Sequence, residues 1–127
     1  HPGKYAKMLG DKIKKHAVKV WLVNTGWSGG AFSVGSRIKL SYTRAMVAAA
    51  LQGKLDEVEF IEHPIFGIAM PTSCPNVPGE ILNPRNAWKD PLAYDEMAKW
   101  LASHFVKNFE KYQSGVSTDI LDAAPRI

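Results

Sequence analysis

The stretch from Ala17 to Arg44 constrains this chain more than any other. Ala17-Val18-Lys19-Val20-Trp21-Leu22-Val23 is apolar on both faces except at Lys19, the pattern of a strand covered on both sides in a sheet. It runs directly into Asn24-Thr25-Gly26-Trp27-Ser28-Gly29-Gly30 and on to Gly35-Ser36-Arg37. A loop with four glycines at a strand end, leading to an Ala-rich helix, is the place where α/β proteins hold ligands. The expectation is an α/β fold with Ala17–Val23 as a central, parallel strand.

The flanking sequence fits that class. Tyr5, Met8, Leu9 and Ile13 recur at helical spacing, with Pro2 in the first turn and Lys14, Lys15 and His16 in the last, where cations suit the dipole. A short extended piece is expected within Val34–Leu40, then a helix over 44–52 capped by Ser41 or Thr43 and stopped by Gly53. Alternation over 57–61 and 66–70 predicts two strands separated by His63-Pro64, the second ended by Pro71. The proline-rich stretch from Pro71 to Pro84 places Cys74 in a surface loop. Asp90-Pro91 is a strong helix start, and Met97, Leu101 and Phe105 carry that helix to about Tyr112. The residues from 114 to 127 read as a tail, a short helix or partly disordered.

A chain of 127 residues is one domain's worth, and folding at this size buries roughly 65 to 70% of the unfolded surface. No stretch approaches the ~20 apolar residues of a membrane span, so the chain reads as soluble. The net charge of +4 owes much to six lysines before residue 20. A solvated helix face explains them better than nucleic acid does. A single cysteine excludes an intrachain disulfide and fits a reducing compartment. There is no signal peptide, and a start at His1 rather than Met hints at a fragment.

Two catalytic motifs in the glycine stretch fail on specific parts. Gly26-Trp27-Ser28-Gly29-Gly30 matches G-x-S-x-G, yet the helix that an elbow requires directly afterwards is missing. Asp90 or Asp95 followed by His104 would give the chain order of a triad, but His104 falls mid-helix. Gly30 to Arg37 has phosphate-loop spacing, but Ser36 and Arg37 replace the lysine and the hydroxyl residue that phosphates and Mg²⁺ need. Neither the four histidines nor Cys74 shows metal-ligand spacing, and surface or helix-end positions are their default. The acidic run Asp56, Glu57, Glu59 and Glu62 is a solvated strand edge and turn. The four tryptophans are core or rim packing, with Trp27 placed to line a ligand site.

Taken together, Val20 to Gly30, Gly35-Ser36-Arg37-Ile38 and Thr43-Arg44-Ala45 closely resemble the C-terminal part of ATP-dependent phosphoenolpyruvate carboxykinases. The likeness continues through Pro64-Ile65-Phe66, Ala69-Met70-Pro71-Thr72, Ile81 to Asn86 and Asn108 to Tyr112, and it begins at His1-Pro2 and Tyr5-Ala6. It implies that residues 1–127 are a piece of a mixed-sheet nucleotide-binding domain with flanking helices and a long C-terminal helix. The implied parent is a cytoplasmic lyase of gluconeogenesis that turns oxaloacetate and ATP into phosphoenolpyruvate, carbon dioxide and ADP with Mg²⁺ and a Mn²⁺-type metal.

By this resemblance Arg37, Ile38 and Thr43 contact the nucleotide. Arg37 can stack on it or hydrogen-bond it, Ile38 can offer apolar surface or backbone to the base, and Thr43 lies near a helix N-terminus. The family's phosphate loop, metal ligands and oxaloacetate-gripping arginine match nothing in the 127 residues, so no catalytic or metal residue is expected here. The implied partners are ATP, oxaloacetate and the rest of the parent chain, with no nucleic acid and no membrane. Apolar surface that the parent would cover should cause self-association or poor stability. A free-standing α/β module that binds a nucleotide or another anion without chemistry is the competing reading.

Overall fold

The computed structural model describes all 127 residues. Helix α1 (Pro2–His16) is followed by an irregular segment, then by short strands β1 (Trp27–Ser28) and β2 (Ser36–Arg37) and helix α2 (Leu40–Leu51). Strands β3 (Phe60–Glu62) and β4 (Ala69–Pro71) come next. Two short helices, α3 (Gly79–Leu82) and α4 (Pro84–Ala87), lead into the long α5 (Pro91–Phe109), a 3-10 turn (Glu110–Tyr112) and α6 (Thr118–Asp122). The class is mixed α/β with a long C-terminal helix.

The expected central strand does not form. Residues 18–26 adopt no regular structure, and both sheets are two-stranded antiparallel pairs, β1 with β2 and β3 with β4. A strand is defined by hydrogen bonds to a neighbour, and no strand of these 127 residues lies beside Ala17–Val23.

The β3–β4 hairpin forms slightly later in sequence than expected, with Phe60 opposite Pro71, Ile61 opposite Met70 and Glu62 opposite Ala69. Its ladder extends through His63 N–H to Ile68 C=O at 2.9 Å and Thr72 N–H to Glu59 C=O at 2.9 Å. Pro71 costs no ladder bond at the end of a strand of an isolated pair.

Helix ends follow local chemistry in two cases and depart from it in a third. The Asp90 carboxylate accepts from the amides of Leu92 (2.9 Å) and Ala93 (3.3 Å), and Gly53, at φ +69°, takes the left-handed conformation that ends α2. The α2 N-cap is Lys39, in extended backbone without a side-chain cap, rather than Ser41 or Thr43. Those two residues lie inside the first turn.

The core is small. Ala49, Leu55 and Cys74 form its centre, with Trp21, Met46, Ala50, Val58, Val77 and Leu82 packed around them. Cys74 is therefore buried rather than in a surface loop, since the bridge between Cys74 and Val77 folds the proline-rich stretch back over α2. About 9442 Å² stays accessible, whereas a compact protein of this mass exposes about 6,700 Å². Folding thus buries only about half of the unfolded surface, less than the expectation from length. The apolar residues are present, but many lack a covering layer: Tyr5, Met8 and Leu9 of α1 are all exposed.

Candidate functional site

The glycine stretch builds a tight turn. Gly29 has φ +77°, and a Cβ on it would come within 2.7 Å of the Ala87 carbonyl oxygen. At Gly35 a Cβ would collide with the carbonyl oxygens of Ser28 and Gly30. Only glycine permits this close passage of β1, the loop and α4. The turn brings β2 back along β1, with Trp27 opposite Arg37 and Ser28 opposite Ser36.

The end of β2 separates the expected site residues. Arg37 points to solvent, whereas Ile38 is buried and its amide donates to Gly26 C=O at 2.9 Å. Thr43 is half-buried in the first turn of α2, its amide bonded to Lys39 C=O at 3.2 Å. Arg37 and Ile38 are thus adjacent at the end of β2, with Thr43 one turn into the helix that follows. No side chain caps α2, and the Tyr42 and Thr43 amides are taken by Lys39 C=O.

Beneath this corner lies an apolar cleft of about 750 Å³. Trp21, Trp27, Ile38, Phe60, Leu82 and Trp88 are among its walls. Trp27 lines it, as expected, while Arg37 and Thr43 lie outside it and only Ile38 reaches in.

The rejected motifs stay rejected on geometry. Ser28 is held in β1 and makes no side-chain hydrogen bond, His104 Nδ1 bonds the Trp100 carbonyl at 2.8 Å, and Asp95 is taken by Arg85. Ser36 and Arg37 lie in a strand rather than at a helix start, so the phosphate-loop arrangement is absent. His, Cys, Asp and Glu side chains nowhere converge in a group of three.

A polar network that the sequence reading missed joins the hairpin to α5. His63 is 5% exposed, not a surface residue. Its Nδ1 accepts from the Ile65 and Phe66 amides, both at 3.2 Å, and Nε2 lies 2.7 Å from the Tyr94 hydroxyl. Two amide donors on Nδ1 assign the proton to Nε2, which donates to Tyr94. Burial lowers the His63 pKa, with the Asp95 charge opposing, and burial raises that of Tyr94 with help from Asp95. Asp95 is gripped by Arg85 through two bonds of 2.9 and 3.0 Å, and these hold its carboxyl below the usual range. The only sequence cue was His63-Pro64 between two alternating runs, because an imidazole can cap a turn as an Asx side chain does. Burial also pushes the Cys74 thiol up, away from the thiolate form.

With this geometry in hand, the family comparison is decisive. A family profile described as phosphoenolpyruvate carboxykinase matches residues 1–80. The chain belongs to the ATP-dependent phosphoenolpyruvate carboxykinase family. It is 58% identical over 125 residues to the phosphoenolpyruvate carboxykinase (ATP) of Flavobacterium johnsoniae, covering 98% of this chain and 23% of that protein. The protein of the same name from Caldanaerobacter subterraneus subsp. tengcongensis is 59% identical over 125 residues, covering 98% and 24%. That of Brevibacillus brevis is 54% identical across all 127 residues and 24% of its own length. The likeness therefore runs past Tyr112 through the tail, and the chain spans about a quarter of the length of these curated relatives.

Proposed function

We propose that this chain supplies the base-side nucleotide contacts of a carboxykinase that converts oxaloacetate and ATP to phosphoenolpyruvate, carbon dioxide and ADP. The observation that carries the reading is the corner where solvent-facing Arg37 and buried Ile38 meet the uncapped start of α2, in a chain of this family. Arg37 stacks on or hydrogen-bonds the nucleotide. Ile38, with its amide committed to Gly26, offers its carbonyl to the base edge and its side chain to the cleft wall. Thr43 contributes a hydroxyl one turn into the helix.

Phosphoryl transfer depends on positioned phosphates and metal charge. With no phosphate-loop lysine among these residues, the reading assigns Mg²⁺, the Mn²⁺-type metal and oxaloacetate to other parts of a longer parent. It also gives that parent a cytoplasmic, gluconeogenic role. No helix here is long and apolar enough to cross a membrane.

Calorimetric titration of ATP tests the assignment. Weak binding is expected, reduced about tenfold or more by Arg37→Ala if one charge-assisted contact is lost. Tight binding that Arg37→Ala leaves unchanged would overturn the site. The purified 127-residue chain should not turn over oxaloacetate and ATP in the presence of both metals, and measurable turnover would sink that part of the proposal.

A further inference from the structure

The corner that carries Arg37 and Ile38 is built on very little. Strands β1 and β2 have two residues each, and an isolated two-stranded hairpin is marginal at best in water. Its position must be set from outside, and the element that touches it is α4. A Cβ on Gly29, one residue past the end of β1, would stand 2.7 Å from the Ala87 oxygen, which is the last carbonyl of α4. Trp88, the next residue, shares the cleft wall with Trp27 and Ile38.

Helix α4 has only four residues and cannot hold its own place, because a single turn does not offset the cost of nucleating it. It is placed by α5. Arg85 donates from Nε and Nη2 to the two Asp95 oxygens, at 2.9 and 3.0 Å, while its amide is bonded to Asn83 Oδ1 at 3.1 Å. A two-bond guanidinium–carboxylate pair fixes orientation as well as distance. At the other end of α4, Trp88 meets Tyr94 edge to face with ring centres 5.7 Å apart. α4 is thus pinned at both ends to one turn of a capped, 19-residue helix.

We infer that Arg85 and Asp95 are positioning residues for the nucleotide corner: their pair fixes α4 on α5, and α4 in turn holds the Gly29 turn from which Arg37 and Ile38 follow. The inference rests on the reading of Arg37 and Ile38 as nucleotide contacts. Neither Arg85 nor Asp95 lines the cleft, so both act through Ala87 and Gly29. Their side chains are 45 and 35% exposed, and an ion pair that open to water contributes little to global stability. Positioning and stability are therefore separable by measurement.

Amide exchange followed by NMR in the 127-residue chain makes the separation. The Ile38 amide, bonded to Gly26 C=O, and the Gly35 amide, bonded to Ala31 C=O, report the corner, and buried Ala49 of α2 reports the body. Arg85→Met and Asp95→Ala should each speed exchange at Ile38 and Gly35 about fivefold or more and leave Ala49 within about twofold. Asp95→Asn, which keeps one acceptor, should fall in between, and Arg85→Lys should rescue little because it lacks the fork. The double variant should match the worse single one, since the pair acts as a unit. Unchanged exchange at Ile38 would overturn the inference, as would equal acceleration at Ala49 or full rescue by Arg85→Lys.

ATP titration separates this inference from the reading beneath it. Arg85→Met should weaken binding about threefold, less than Arg37→Ala does. A loss with Arg37→Ala and none with Arg85→Met would overturn the positioning role alone. Faster exchange at Ile38, with ATP binding indifferent to both variants, would keep the link from α5 to the corner and sink the nucleotide reading.

Discussion

The β3–β4 hairpin and the segment Val18–Thr25 are both rich in β-branched and aromatic residues, yet their backbones end in opposite states. The hairpin satisfies itself. Its strands pair with each other, His63 ties its turn, and Phe66 meets Phe105 of α5 with ring centres 6.3 Å apart. Trp88 meets Tyr94 edge to face at 5.7 Å, and Arg126 reaches back from the tail to Ile65 C=O at 2.7 Å and to Glu62. The segment docks Trp21 on Phe60, leaves Val18, Val20 and Leu22 exposed and makes no backbone–backbone hydrogen bond. The difference is one of range: this hairpin's strand pairs lie no more than 11 residues apart, whereas a parallel interior strand needs partners from distant sequence.

That contrast can be broken most forcefully at His63. His63→Ala would strand the Ile65 and Phe66 amides and the Tyr94 hydroxyl, and should cost about 2 to 4 kcal/mol. Denaturant unfolding followed by near-UV circular dichroism measures it, and a cost below about 1 kcal/mol would demote the network to decoration.

Acid should loosen the same region more gradually. Burial holds the His63 pKa below its ordinary 6.5, so the neutral ring is preferred in the folded state. Its contribution is complete above 6.5 and is lost as pH falls through that value toward the folded one, by at most about 1.4 kcal/mol per pH unit. Asp95, whose pKa is lowered mainly by its bond to Arg85, adds its own loss only in the more acidic range below 3.8. Stability profiles between pH 7 and 5 should slope for the wild type and flatten for His63→Asn. Parallel profiles would assign the slope to another group.

A smaller loss is expected at the helix that the hairpin packs on. Asp90→Ala removes the acceptor for two α5 amides and should cost about 1 kcal/mol, with Asp90→Asn recovering most of it. Equal losses for both variants would place the effect in charge rather than capping.

The least costly change should be in the open segment itself. Leu22→Ala at an 81% exposed side chain should shift the stability of the isolated chain by no more than about 0.5 kcal/mol. The bare apolar face should also bind 8-anilinonaphthalene sulfonate, and Leu22→Asp should weaken that signal. A dye signal indifferent to Leu22 would move the sticky surface elsewhere, with the α1 stripe of Tyr5, Met8 and Leu9 next in line.

Much of the local structure could be read directly. Asp90-Pro91, Gly53 and the alternation around His63-Pro64 each specify an element through nearest neighbours, and each element formed within a few residues of its expected place. Cys74 and His63 were misjudged for a common reason. Both are small or polar residues in turns, and their burial is set by what folds over them: α2 beneath Cys74 and α5 against His63. The α2 cap was misplaced because Ser41 and Thr43 compete with a backbone already extended at Lys39. Of the expected site, Arg37 and Ile38 were adjacent by sequence. That Arg37 faces solvent and Ile38 the cleft was decided by the fold: Arg37 ends β2, whose two residues are both exposed, and Ile38 just beyond it is tied back to Gly26 C=O.

Sequence by itself determined the family, the longer helices, the β3–β4 hairpin and the apolar, two-faced character of Val18–Val23, because composition and short-range spacing are properties of the chain alone. Tertiary structure decided which of those preferences are met. The hairpin closes because its partner is local, and Val18–Thr25 stays open because hydrogen bonds across a sheet can be made only by a strand that is there to receive them.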